Sequence, residues 1–149
     1  MSNANKRKGY DWEKLVEDLM NKHTPFSWKR IPGSGAFGSV MNIVELQGDL
    51  IGRYDFFPFR FRGEAKVGYG GTKQITVKRE WFNKIREESE KNWNDLPCVL
   101  LKYSGSKAPN AQHIIAFEFD VWFKILDYVK DLFDENIKLR DKLHTLEGK

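Results

Sequence analysis

The sequence predicts an α/β fold: a central mixed β-sheet flanked by helices, with a long C-terminal helix. Three patterns carry that prediction. Residues 12–20 repeat apolar side chains at helical spacing, residues 59–67 alternate at strand spacing, and the apolar period becomes a heptad after residue 121. In chain order the segments read helix, several strands, helix, strand, strand, helix, the order of a mixed sheet with helices on its faces. At 149 residues the chain can hold one domain with a real core. We divide it into residues 1–120, a folded domain, and 121–149, a helical element.

The first helix rests on Trp12, Leu15, Val16, Leu19 and Met20, which fall on one stripe. It should run from about Tyr10 to Lys22 and stop before Pro25. Glu13 and Glu17, four apart, share a neighbouring face. Residues 26–31 alternate like a half-buried strand. Pro32-Gly33-Ser34-Gly35-Ala36-Phe37-Gly38-Ser39 follows, either a plain connector or a loop that presents N–H groups to a phosphate. No Walker lysine follows it, so no nucleotide cofactor is expected. Residues 40–52 read as extended and deliver Asp49. Residues 56–67 form the next strand, 74–77 a short extended piece, and about 78–93 a helix on Trp81, Phe82 and Ile85. Pro97–Tyr103 reads as a buried strand that ends in Lys102, and 112–119 as the last strand.

In the 56–67 strand, Phe59, Phe61, Ala65 and Val67 share one parity, and Arg60, Arg62, Glu64 and Lys66 share the other. Side chains of one parity leave from one face. The polar face is either solvated or a site. From the strand alone, Arg60 and Arg62 are candidate DNA contacts.

The tail places Trp122, Val129, Asn136 and Leu143 at heptad position a, and Ile125, Leu132, Leu139 and Leu146 at d. A lone asparagine at a favours a parallel two-stranded register. Glu135 would face Arg140 of the partner helix, and Lys142 would face Glu147. Phe123, Leu126, Phe133 and Ile137 lie off that seam and fit a helix packed on its own domain. Both readings stand at this level.

The formal charge is +4 and uneven. Residues 120–149 hold 6 Lys/Arg against 7 Asp/Glu, whereas residues 1–119 hold 19 against 14. The basic excess lies with the domain and suits a polyanionic partner. The single Cys98 excludes an internal disulfide framework. No apolar run is long enough to span a membrane, and the N-terminus lacks a signal region. A soluble cytoplasmic protein is expected.

Asp49 and Glu64 supply hard oxygen ligands of the kind Mg²⁺ prefers, and Glu13 could complete the shell, with Glu17 as the spare. Such a cation would polarise a scissile phosphate and acidify a bound water. Lys66 would orient that water and stabilise the transition state. His23, His113 and His144 show no metal spacing.

Asp49 followed by Glu64-Ala65-Lys66 resembles the signature of the PD-(D/E)XK nuclease superfamily. Within it the chain most resembles the archaeal-type Holliday junction resolvases, including phage-carried versions. Arg7-Lys8-Gly9 with Glu13 four residues on is similar to their N-terminal motif. Arg30 with Gly33-Ser34-Gly35 is similar to their arginine and Gly-Ser loop, and Lys102 to a lysine on a late strand. The resemblance covers about residues 6–120. It implies a restriction-endonuclease-like fold, a nuclease domain over 1–120, and a homodimer that nicks four-way DNA junctions symmetrically with Mg²⁺, Mn²⁺ substituting. It implies a host-cytoplasmic location if a phage encodes the chain, and phosphate contacts by Arg7, Lys8, Arg30 and Ser34, with Lys102 added as a DNA contact. Two departures stand out: the 36–48 link is longer than the family's, and the helix after residue 120 has no counterpart in short archaeal members. Another PD-(D/E)XK phage or restriction-type nuclease is the alternative, and a non-catalytic DNA-binding dimer is a third reading.

Overall fold

The computed structural model describes residues 3–31, 47–67, 75–103 and 113–147. Its elements are α1 (Asn3–His23), β1 (Ser27–Arg30), β2 (Leu50–Arg53), β3 (Arg60–Val67), α2 (Arg79–Glu90), β4 (Asp95–Lys102), β5 (His113–Ala116) and α3 (Phe119–Glu147). The five strands lie in sequence order. Strands β3 and β4 are parallel, and every other neighbouring pair is antiparallel. The sheet is therefore mixed, as its sequence predicts, and α2 is the crossover that a parallel pair requires. This is a restriction-endonuclease-like α/β fold.

Helix α1 packs on one face of the sheet through Trp12 and Val16, against Trp28, Leu50, Ala65 and Leu100. The Trp12 indole N–H donates to the Leu100 carbonyl at 3.2 Å, which ties α1 to β4. Asn21 bonds both backbone groups of Trp28, at 2.8 and 2.9 Å, which ties α1 to β1. Helix α2 covers the other face, with Trp81 and Ile85 against Val99 and Leu101.

Some boundaries move for local reasons. Helix α1 starts before its apolar stripe, because the basic arm continues the helix through Gly9. Strand β3 starts at Arg60 rather than at residue 56. The Phe57 N–H donates to the Tyr54 carbonyl at 3.0 Å, so the chain is still turning there. Phe57 instead sets its ring edge-on to Phe26 at 5.4 Å. Helix α2 ends at Glu90, and the exposed Trp93 falls in the turn beyond it.

The alternation in β3 does divide two faces, but neither is open to solvent along its middle. The polar parity lies under α2, where Arg62 is 0% and Glu64 1% exposed. Arg62 Nε bonds Asp95 Oδ2 at 2.6 Å, and Arg60 Nη2 reaches the same oxygen at 3.1 Å. The first residue of β4 thus neutralises two guanidiniums of β3.

Opposite Trp28 on β1 stands Gly52 on β2. A Cβ there would lie 2.5 Å from Trp28 Cε2, inside the ring's van der Waals radius. Gly52→Ala is therefore expected to destabilise the domain by about 1–3 kcal/mol in urea unfolding, because the buried indole cannot yield without disturbing its stack on Phe61.

By contact, residues up to Phe117 form one compact unit and those from Glu118 another. The second unit is the single helix α3. Among the described residues, no helix is long and apolar enough to cross a membrane.

Candidate active site

The site forms where β3 approaches its C-terminal end beside the start of β2. Leu50 pairs with Gly63, so the residue before β2 comes alongside Glu64. That residue is Asp49, and its backbone is pinned on both sides. Its N–H donates to the Gly63 carbonyl at 2.8 Å, and its carbonyl accepts from the Ile31 N–H at 2.9 Å. Gly48 turns the chain into this position at φ +80, a conformation that disfavours a side chain. Asp49 Oδ2 then accepts the Ala65 N–H at 2.8 Å.

Lys66 Nζ stands 4.0 Å from the same Asp49 oxygen and bonds Glu64 Oε1. A second amine arrives from α2. Lys84 Nζ lies 2.7 Å from Glu64 Oε2, 2.9 Å from Oε1 and 3.8 Å from Glu88 Oε1. The buried Glu64 carboxylate is therefore held between two ammonium groups. The turn into β2, strand β3 and helix α2 each contribute one wall.

Negative charge accumulates here. Burial first, and then Asp49, push the Glu13 carboxyl up to about 7, against the opposing pull of Arg30 and Lys66. Glu13 on α1 thus shares the electrostatic neighbourhood of Asp49, Glu64, Arg30 and Lys66. Burial and the Glu64 charge hold the Asp49 carboxyl above its usual range, although Lys66 and the Ala65 N–H oppose them. Burial also raises Glu88, which Lys84 and the Gly48 N–H moderate. Among the described residues, no three His, Cys, Asp or Glu side chains close a ready-made metal shell. The pair Asp49 and Glu64 does fit a hard divalent cation that keeps open positions: both offer carboxylate oxygens, and their repulsion is what a cation relieves.

Glu13 makes the metal-free protein pH-sensitive. Its folded pKa lies above its ordinary 4.5, so the folded state holds its proton more tightly than the unfolded chain. The resulting destabilisation is absent below about 4.5, grows as pH rises, and is complete above about 7. Glu13→Gln should therefore stabilise the metal-free protein at pH 8 by roughly 1–2 kcal/mol, after discounting for solvent at this partly buried position. Denaturant melts of both proteins at pH 4 and pH 8 check this; the gain should vanish at pH 4.

The other predicted residues are placed as follows. Arg30 ends β1 partly exposed, with Nε 2.8 Å from Glu17 Oε2 and its guanidinium 4.6 Å from the Tyr10 ring centroid. Glu17 spends its other oxygen on the Arg30 N–H at 3.0 Å, so the spare candidate ligand is an arginine anchor instead. Arg60 and Arg62 both pair with Asp95; Arg60 stays partly exposed, whereas Arg62 is fully buried. Lys102 pairs with Val67, not Lys66, and so takes the α1 face, where its Nζ lies 5.6 Å from the Trp12 ring centroid. Arg7 and Lys8 lie within α1. Ser34 and most of the 36–48 link are outside the described residues; Gln47 and Gly48, its last two, are buried beside Asp49. Sequence reasoning missed Lys84 and Glu88. Their i, i+4 spacing on the helix that crosses over to β4 was the available signal.

A model of the family described as "Phage putative PDDEXK endonuclease" matches residues 4–146. The chain belongs to that family. No curated protein matches it. Membership makes the chain a nuclease of the PD-(D/E)XK type, a class that generally uses divalent metal ions. The family match runs through α3 as well as the sheet domain.

Proposed function

We propose that this PD-(D/E)XK nuclease is a Mg²⁺-dependent endonuclease that resolves four-way DNA junctions by paired symmetrical nicks, acting as a homodimer. One observation carries the catalytic part: Asp49, just before β2, and Glu64 and Lys66 of β3 meet within hydrogen-bonding or ion-pairing reach, with Glu13 of α1 in the same electrostatic neighbourhood. Junction selectivity is supported by the resolvase-like Arg7-Lys8-Gly9…Glu13 spacing and by Arg30 next to that cluster.

Asp49 and Glu64 would hold the cation, and Glu13 would complete the set. When bound, the cation supplies positive charge to the scissile phosphate and acidifies the attacking water. The chain's own residues do the rest. The pinned backbone and the Ala65 N–H fix the Asp49 carboxylate before substrate arrives. Lys84 fixes Glu64 from α2. The Lys66 ammonium orients the water and offsets charge building on the phosphate oxygens. Arg30, steadied by Glu17 and Tyr10, would contact a backbone phosphate near the cleavage point, and such contacts position DNA without reading sequence.

The discriminating experiment offers labelled four-way junction, linear duplex and single strand to the protein in Mg²⁺. Paired nicks confined to the junction support resolution. Equal cutting of linear duplex moves the assignment to a general phage or restriction-type nuclease. Binding without cutting of any substrate moves it to a DNA-binding dimer.

A further inference from the structure

Helix α3 is continuous over 29 residues, about 43 Å at helical rise. Its seam residues Val129, Leu132, Leu139, Leu143 and Leu146 are all exposed. An apolar stripe of that length on a solvent-exposed helix needs a cover. The charges around it say which. Glu135 and Lys142 take position g, and Arg140 and Glu147 take the e positions five residues on. In a parallel in-register pair Glu135 meets Arg140 and Lys142 meets Glu147 of the other helix, while Tyr128 meets Phe133 one heptad earlier. The outer face closes its own pair: Lys130 Nζ is 2.6 Å from Asp134 Oδ2. Asn136 alone interrupts the seam, at a, where its amide can meet its counterpart. The near-neutral charge of residues 120–149 suits neither DNA nor an anionic lipid surface.

We infer that α3 pairs with α3 of a second copy as a parallel two-stranded coiled coil. The pairing gives the molecule a two-fold axis along its C-terminal helices. It rests on α3 alone and not on the substrate reading above.

Sedimentation equilibrium of the full chain tests it, alongside two variants. Wild type should be dimeric. Leu132→Asp combined with Leu139→Asp should weaken association about a hundredfold or more. Both leucines are exposed, so the thermal melt of the sheet domain should stay put. In Leu146→Cys, mild oxidation should link two copies through the new thiol, because parallel helices bring both Leu146 positions together. Native Cys98 is buried, and burial pushes its thiol up to about 12, so it does not compete. A monomeric wild type, a dimer indifferent to the double substitution, or a dimer that resists the Leu146→Cys link would each overturn the proposal.

Discussion

Glu64→Gln is expected to lower DNA cleavage at least about a thousandfold, the largest functional effect of any single change in this chain. The amide keeps the shape of the side chain but loses the charge that a divalent cation requires. It also releases Lys66 and Lys84, the two ammoniums that now share the carboxylate. Calorimetric titration with Mn²⁺ should show metal binding lost, while the circular dichroism of the sheet domain is retained. Lys66→Met makes the complementary case. It leaves both carboxylates in place, so it should keep metal binding and lose about a hundredfold or more in kcat. If Glu64→Gln cuts as fast as wild type with its metal affinity intact, the carboxylate is structural.

The second large effect is on stability. Asp95→Ala should destabilise the domain by about 3–5 kcal/mol, because it strips a fully buried guanidinium of its counter-charge. Arg62 would keep its bond to the Gln47 carbonyl but lose its counter-charge, and Arg60 would lose both its bonds to Asp95. The damage should also reach the site. Arg62 holds the Gln47 carbonyl two residues before Asp49, so loosening the guanidinium loosens the aspartate's approach. Urea unfolding measures the first consequence, and a drop in cleavage at temperatures well below the melt measures the second. Asp95→Asn keeps the acceptor and should cost visibly less. Equal stability of Asp95→Ala and wild type would show that the pair is replaceable.

Much of this architecture is legible in the residues. The stripe of Trp12 and Val16, the alternation of Phe61, Ala65 and Val67, and the apolar run Val99-Leu100-Leu101 all mark core faces that the fold uses. Parity says which side chains share a face, but not what covers it. That is why parity leaves the Arg60, Arg62, Glu64 face either solvated surface or site, whereas the fold lays it under α2. Lys102 shows a related limit. Its place at the end of β4 is readable, but its side depends on the register with β3, which pairs it with Val67. Lys84 reaches Glu64 only because the crossover sets α2 over that residue. Asp49 was the reverse case: a long preceding link made its reach uncertain, and the backbone bonds to Gly63 and Ile31 are long-range features no local pattern encodes.

We propose that Asp49, Glu64 and Lys66 form one metal-dependent DNA-cleaving site. Labelled junction and duplex DNA should be incubated with wild type and Asp49→Asn, each in Mg²⁺ and in excess chelator. The prediction is cutting by wild type in Mg²⁺ and by no other combination. Cutting that persists in chelator, or in Asp49→Asn with Mg²⁺, would contradict it.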